Sequence, residues 1–183
     1  MSTPIAHSLA GINVYLVSKN KNTLNNRLLI LYCLIVSNLP DIDFFCITTD
    51  GIKWSALYHH QVTHSIIFIL ILSLIAWFTG GRRLGIITLW CLGLHNLIDY
   101  FTFDTIPPKG IMLLYPFSKQ YFISPVTFWF GCEHQTLGDT VSFYSLISMG
   151  YDLITVGLIT FIVIISKRIY EFRVLQNRIG ERQ

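Results

Sequence analysis

Apolar residues fall in blocks along this chain, with polar residues gathered at the joints between them. The blocks are Ile5–Val17, Leu28–Leu39, His64–Thr79, Leu84–Phe101 and Tyr151–Ile165. Most run about 12 to 18 residues without strict alternation, which predicts helices rather than strands. The second should stop at Pro40, because a proline disfavours helical geometry in the residue before it. Gly80-Gly81-Arg82-Arg83 closes the third. The joints are a polar, basic Ser18–Arg27 and an irregular Asp41–Thr63 with a turn signal at Asp50-Gly51. Thr102–Gly150 is mixed and aromatic-rich, and its Pro107, Pro108, Pro116 and Pro125 argue against one unbroken helix. Lys167–Gln183 is polar and basic and predicts a surface helix.

The blocks sit at or below the ~20 residues that a full membrane span needs. They either cross a membrane with partly polar ends or form the buried helices of a membrane-associated domain. Composition favours crossing. The chain is 52% hydrophobic and 13% charged, where a soluble domain carries about 25% charged residues. The expected fold is therefore all-α, a multi-pass membrane helical bundle over residues 1–166 with a basic cytoplasmic tail over 167–183. No cleavable signal peptide is expected, since Met1–Ser18 lacks a basic start and carries His7. Cys33 and Cys91 read as buried thiols, and Cys46 and Cys132 would pair only on an oxidising side.

Charge supplies an orientation. Lys19, Lys21 and Arg27 lie between the first two helices, and Arg82 and Arg83 between the third and fourth. Lys167, Arg168, Arg173, Arg178 and Arg182 follow the last. Up-and-down threading puts these ten of the 13 basic residues on one side, which the positive-inside rule makes the cytoplasm. Asp41, Asp43, Asp50, Asp99, Asp104, Glu133, Asp139 and Asp152 go to the other side, with all six histidines. A net charge of only +3 gives no reason to expect a nucleic-acid partner.

Four stretches could carry chemistry. His95 and Asp99 are four residues apart near the end of an apolar helix, so they share a face. Ionisable groups in such a place are functional candidates, although a simple His–Asp hydrogen bond is the structural alternative. Asp41 and Asp43 flank Ile42, and alternate residues of an extended segment point the same way. A solvated helix-end turn is the plainer reading of that motif. His59, His60 and His64 precede the third helix, where Thr63 or Ser65 is the expected cap. Surface histidines on a loop are the alternative there. His7 alone reads as an interfacial histidine. Glu133 and His134 rank below the rest, and the aromatics from Tyr115 to Phe130 read as an interfacial belt.

Together, His7, Asp41, Asp43, His59, His64, His95 and Asp99 form a candidate metal set. Imidazole and carboxylate donors suit zinc, with manganese and iron as alternatives. Seven residues exceed one tetrahedral ion and suit two or three. Such sites grip the attacking and leaving oxygens of a phosphoester. Asp41, Asp43 and His59 are assigned the catalytic roles.

At these residues the chain resembles the YdjM-like family of bacterial inner-membrane proteins, described as metal-dependent hydrolases. The resemblance runs through His7, LPDID at 39–43, the His-x3-Thr-His-Ser pattern from His59 to Ser65, and His95-x3-Asp99 followed by Thr102, Gly110 and Leu113–Pro116. The family usually has Arg-Gly where this chain has His60-Gln61, and a shorter link before Gly110. A more distant resemblance is to zinc-dependent phospholipase C and the related single-strand nucleases, all-helical proteins that also use a His-x3-Asp helix. These resemblances imply a multi-pass inner-membrane protein. Its site is expected on the non-cytoplasmic side, where a divalent metal would activate water against a phosphoester or lipid-like ester. Membrane lipid would be its surroundings. The other class of reading is a membrane protein with a structural metal site, whose basic tail binds a cytoplasmic partner or anionic lipid.

Overall fold

The structure, a computed structural model, describes residues 2–19, 26–42, 61–104, 109–132 and 142–180. The described residues form five helices: α1 (Pro4–Ser18), α2 (Asn26–Asn38), α3 (Ile66–Gly80), α4 (Arg82–Tyr100) and α5 (Phe143–Gly180). Two short strands, β1 (Thr102–Phe103) and β2 (Trp129–Phe130), pair in parallel with Thr102 opposite Trp129. The chain is mostly helical, as its blocks predict.

Local chemistry sets the helix ends. Thr3 accepts a hydrogen bond from the Ala6 amide and Pro4 occupies the first turn of α1, both favourable at a helix start. α2 ends at Asn38 and tightens into a 3-10 turn over 39–42 around Pro40. Ser65, one of the two expected caps, accepts from the Phe68 amide and starts α3. Gly81 alone joins α3 to α4, at φ +84°, a conformation that glycine adopts without steric penalty. α5 begins at Phe143, ahead of the expected Tyr151. Ser142 accepts from the Ser145 amide at 3.2 Å, and no proline follows Pro125 to stop the helix. It then runs without a break through the basic segment as far as Gly180.

α1 packs against α2, α4 and α5, and α3 folds back along α4. One apolar cluster joins Val14, Cys33, Val36, Ile69, Ile87, Cys91 and Leu92, and a smaller one joins Ala6, Ala10, Ile98 and Val156. Glycine sets two of the close approaches. A Cβ on Gly11 would lie 2.5 Å from Ser37 Oγ, and one on Gly85 would lie 2.8 Å from Trp77 Cβ. Small residues at helix crossings are the usual packing device inside membranes.

The distribution of polarity is inverted relative to a water-soluble protein. Leu70, Leu74 and Phe78 on α3 and Ile154, Leu158 and Phe161 on α5 are exposed. His7, Ser37, His64, His95, Asp99 and Asp152 are buried. Among the described residues one helix, α5, is long and apolar enough to cross a membrane, over the 32 residues Phe143–Val174. At 1.5 Å per residue that stretch is about 48 Å long, more than the ~30 Å of a bilayer core. Ile66–Gly80 is apolar but shorter.

The bundle has two unlike ends. At one, Arg83 donates to the Ser18 carbonyl at 2.6 Å, and Lys167 donates to the carbonyls of Leu16 and Lys19. These cations meet the free carbonyls at the end of α1, where they are favourable. The other end holds the start of α1, the turn after α2, the residues before α3 and the last turns of α4.

Gly11→Val should lower stability by about 1–3 kcal/mol, since the crossing of α1 and α2 has no room for the added methyls. Thermal melting of the detergent-solubilised protein reads the loss, and an unchanged melting temperature would mean that the two helices do not cross at Gly11.

Candidate metal centre

α4 supplies the first pair. His95 Nε2 and Asp99 Oδ2 lie 3.1 Å apart, one turn from each other. His95 Nδ1 is 2.8 Å from the Ser37 carbonyl at the end of α2, and it donates its proton there. That bond leaves Nε2 as the lone-pair nitrogen facing inward, the arrangement by which outer partners orient a metal-ligating histidine. His64 enters from the residue before the α3 cap. Its Nδ1 lies 3.1 Å from Thr63 Oγ1, and its backbone carbonyl accepts from the Asn96 amide. Its Nε2 is 3.1 Å from His95 Nε2. His7, in the first turns of α1, stacks its ring on His95 with centroids 3.7 Å apart.

Asp41 comes from the 3-10 turn after α2. Its Oδ1 lies 3.5 Å from both His64 Nε2 and His95 Nε2, and its Oδ2 lies 3.6 Å from His7 Nε2. Asp99 divides its oxygens likewise, with Oδ2 3.4 Å from His64 Nε2 and Oδ1 3.5 Å from His7 Nε2. His7, Asp41, His95 and Asp99 offer donor atoms that all lie within 4.8 Å of one another.

These donors fit a divalent ion. Bonds of 2.0–2.1 Å to a tetrahedral metal place neighbouring donors about 3.3–3.4 Å apart. Around His64 Nε2, His95 Nε2, Asp41 Oδ1 and Asp99 Oδ2, the nitrogen–nitrogen and nitrogen–oxygen separations run from 3.1 to 3.5 Å. Both Asp41 oxygens and Asp99 Oδ2 are buried without a hydrogen-bond partner among the described residues. Buried carboxylates in that condition cost several kcal/mol, and a cation between them removes the penalty.

Charge in the cluster is shared unevenly. Burial would push the Asp41 carboxyl up, but the facing imidazoles of His95, His64 and His7 outweigh it and hold it well below the usual carboxylate range. Burial would push His64 down, but Asp41 and Asp99 outweigh it and raise its imidazole above the usual value. His7, His64, His95 and Asp99 are at most 1% exposed, whereas Asp41 is 8% exposed.

Five of the seven residues expected as ligands therefore meet at one point. The other two, Asp43 and His59, lie outside the described residues, as do His60, Glu133 and His134. The structure adds residues that sequence reasoning did not single out. The Ser2 amide donates to Asp99 Oδ1 at 2.9 Å, and Ser2 Oγ lies 2.9 Å from His7 Nε2. Thr3 donates through its amide at 3.1 Å and its hydroxyl at 2.8 Å to Asp152 Oδ2 on α5. Asp152 carried a signal in sequence, as the one carboxylate in the last apolar block. Ser2 and Thr3 carried none, because small hydroxyl residues near a helix start are ordinary caps.

Comparison with known proteins finds similarity to inner-membrane proteins. The family model described as YdjM inner membrane protein matches residues 1–173. Inner membrane protein YbcI of Escherichia coli (strain K12) is 28% identical over 96 residues, 50% of this chain and 56% of that protein. The chain thus spans little more than half the length of that relative. No solved structure matches the chain.

The raised His64 imidazole gives a pH dependence with a definite sign. In metal-free protein its positive charge faces Asp41 and Asp99, whose oxygens lie 3.5 and 3.4 Å from Nε2. That stabilisation is complete below the unfolded value of ~6.5 and is lost as pH rises through the higher folded value. Chelator-treated protein should therefore melt lower at pH 9 than at pH 6. Metal-loaded protein should not, because ligand imidazoles bind metal unprotonated. Equal pH slopes with and without metal would show that no cation replaces the proton.

Proposed function

The chain belongs to the YdjM inner membrane protein family, and we propose that it works as a membrane-bound, metal-dependent hydrolase. The observation that carries this reading is the donor chemistry. Three imidazoles and two carboxylates meet, and no thiol is among them; of the described cysteines, Cys33 and Cys91 lie in the apolar core and Cys132 Sγ reaches the Ser2 carbonyl. Structural zinc sites are built largely from cysteine, whereas histidine–carboxylate sets are those of catalytic metals. Zinc is the first choice, and manganese and iron suit the same donors.

A divalent ion held by His64, His95, Asp41 and Asp99 would polarise an ester or phosphoester oxygen and lower the pKa of a water toward ~7. The chain's own residues do the rest. Ser37 fixes the tautomer and tilt of His95. Asp41, at 8% exposure the least deeply buried of the five, brings its carboxylate to the cluster from the turn after α2. Asp43, two residues after Asp41, and His59, five before His64, carry the catalytic role in this reading. The apolar exterior favours a lipid-like ester or phosphoester as substrate, with membrane lipid around the protein.

The two ends of the bundle support a multi-pass topology. Lys19, Arg83 and Lys167 gather at one end, which the positive-inside rule assigns to the cytoplasm. The histidines and aspartates gather at the other, which leaves the site on the non-cytoplasmic side. Residues 1–166 would be the membrane-embedded hydrolase domain. Residues 167–183 would form a cytoplasmic basic tail, suited to a protein partner or anionic lipid.

A structural metal site is the second reading. Four protein donors around one ion, nearly all shielded from solvent, are its mark. The two readings part on turnover. Purified protein should contain metal and hydrolyse at least one member of a panel of phosphoesters and lipid esters. Metal without turnover would favour the structural site.

Asp99 tests the metal itself. Asp99→Ala and Asp99→Asn should each weaken metal binding more than about 100-fold, beyond the 10- to 100-fold typical of residues that only orient a ligand. Full metal occupancy in Asp99→Asn, which keeps shape and hydrogen bonding but not charge, would remove Asp99 from the ligand set. Topology is read by cysteine labelling of Asp50→Cys and Arg178→Cys in a background without native cysteines. Labelling from the same side would overturn the proposed threading.

A further inference from the structure

We infer that the cluster holds a second divalent cation on its His7 side, with Ser2 as a ligand and Asp152 as the residue that positions Ser2. This inference rests on the metal reading above and adds a separate subsite to it.

Each of the two carboxylates divides its oxygens between two sides of the cluster. Asp41 Oδ1 and Asp99 Oδ2 face His64 and His95, while Asp41 Oδ2 and Asp99 Oδ1 face His7. An ion on the His64–His95 side uses one oxygen from each. The other two remain buried, 3.6 and 3.5 Å from His7 Nε2. Asp41 Oδ2 has no hydrogen-bond partner among the described residues. Ser2 Oγ completes that side, 2.9 Å from His7 Nε2. The subsite thus offers one imidazole nitrogen, two carboxylate oxygens and one hydroxyl oxygen. It is richer in oxygen than the first and suits a harder divalent ion, manganese above zinc. Asp41 and Asp99 would each offer one oxygen to either ion, compensating the charge of both.

Ser2 does not hold that place by its own contacts alone. Its neighbour Thr3 gives both its amide and its hydroxyl to Asp152 Oδ2 while capping α1. Cys132 Sγ reaches the Ser2 carbonyl at 3.7 Å, and the Ser2 amide is on Asp99. Asp152 is fully buried, and its Oδ1 has no hydrogen-bond partner among the described residues. A carboxylate is expensive in an apolar helix. Here it fixes the start of α1 and brings a third negative charge to the side that would carry the second cation.

The test is metal stoichiometry in the purified full chain, equilibrated with Zn2+ or with Mn2+ and measured per chain. Two ions are expected in the unaltered protein and one in Ser2→Ala and His7→Ala, whose retained first ion reports that they fold. Asp152→Asn should keep the first affinity and weaken the second at least tenfold. With Mn2+, electron paramagnetic resonance should show an exchange-coupled pair in the unaltered protein and an isolated ion in Ser2→Ala. One ion in the unaltered protein would overturn this inference and leave the hydrolase reading standing; no ion would overturn both. Two ions retained in Ser2→Ala at unchanged affinity would remove Ser2 from the subsite. Equal losses at both sites in Asp152→Asn would reduce Asp152 to a residue of general stability.

Discussion

Two buried carboxylates, Asp41 and Asp99, face three buried imidazoles, and this arrangement shapes one end of the bundle. Neither kind of group belongs in an apolar interior alone. Carboxylates there are costly unless compensated, and the compensation has to be close and geometrically right. Four separate segments supply it: the start of α1, the turn after α2, the residues before α3 and the last turns of α4. None of these segments can drift without leaving charge uncompensated in the others. The cluster therefore acts as a clasp at this end of the helices, whatever chemistry it also performs.

The rest of the fold suits that clasp. Close helix crossings at Gly11 and Gly85 hold the backbones near enough for short side chains to meet. Farther along the same helices, Tyr32 and Thr88 bond across α2 and α4 at 2.6 Å. The outer faces of α3 and α5 are left to apolar side chains. Cations cover the carbonyls at the far end of α1. The bundle is thus polar along part of its inside, apolar outside, and electrically unlike at its two ends.

Membership of an inner-membrane family agrees with that exterior. The metal reading and the family stand on different observations. The first comes from donor spacing and orphaned oxygens, the second from similarity over residues 1–173. Hydrolysis adds a step of chemistry to both, and it rests on the kind of donors present.

Much of this was legible in the chain itself. Blocks of apolar residues foretold the helices, because a helix in an apolar setting satisfies its own backbone and needs no partner strand. Pro40 and Ser65 marked ends that are local events. His95 and Asp99 share a face by helical period alone. Other features were decided by tertiary structure. The start of α5 at Phe143 depends on a cap that several serines and threonines could have provided. The place of His7 depends on α1 packing against three other helices at once. Ser2 and Asp152 stand 150 positions apart in sequence, and no periodicity links them. Their parts follow only when the start of α1 is laid against α5, where a buried carboxylate and two buried donors of Thr3 have each other as partners. Spacing along a helix is a local property that sequence carries. The pairing of buried polar groups across helices is set by which surfaces meet, and that is known only once the chain is folded.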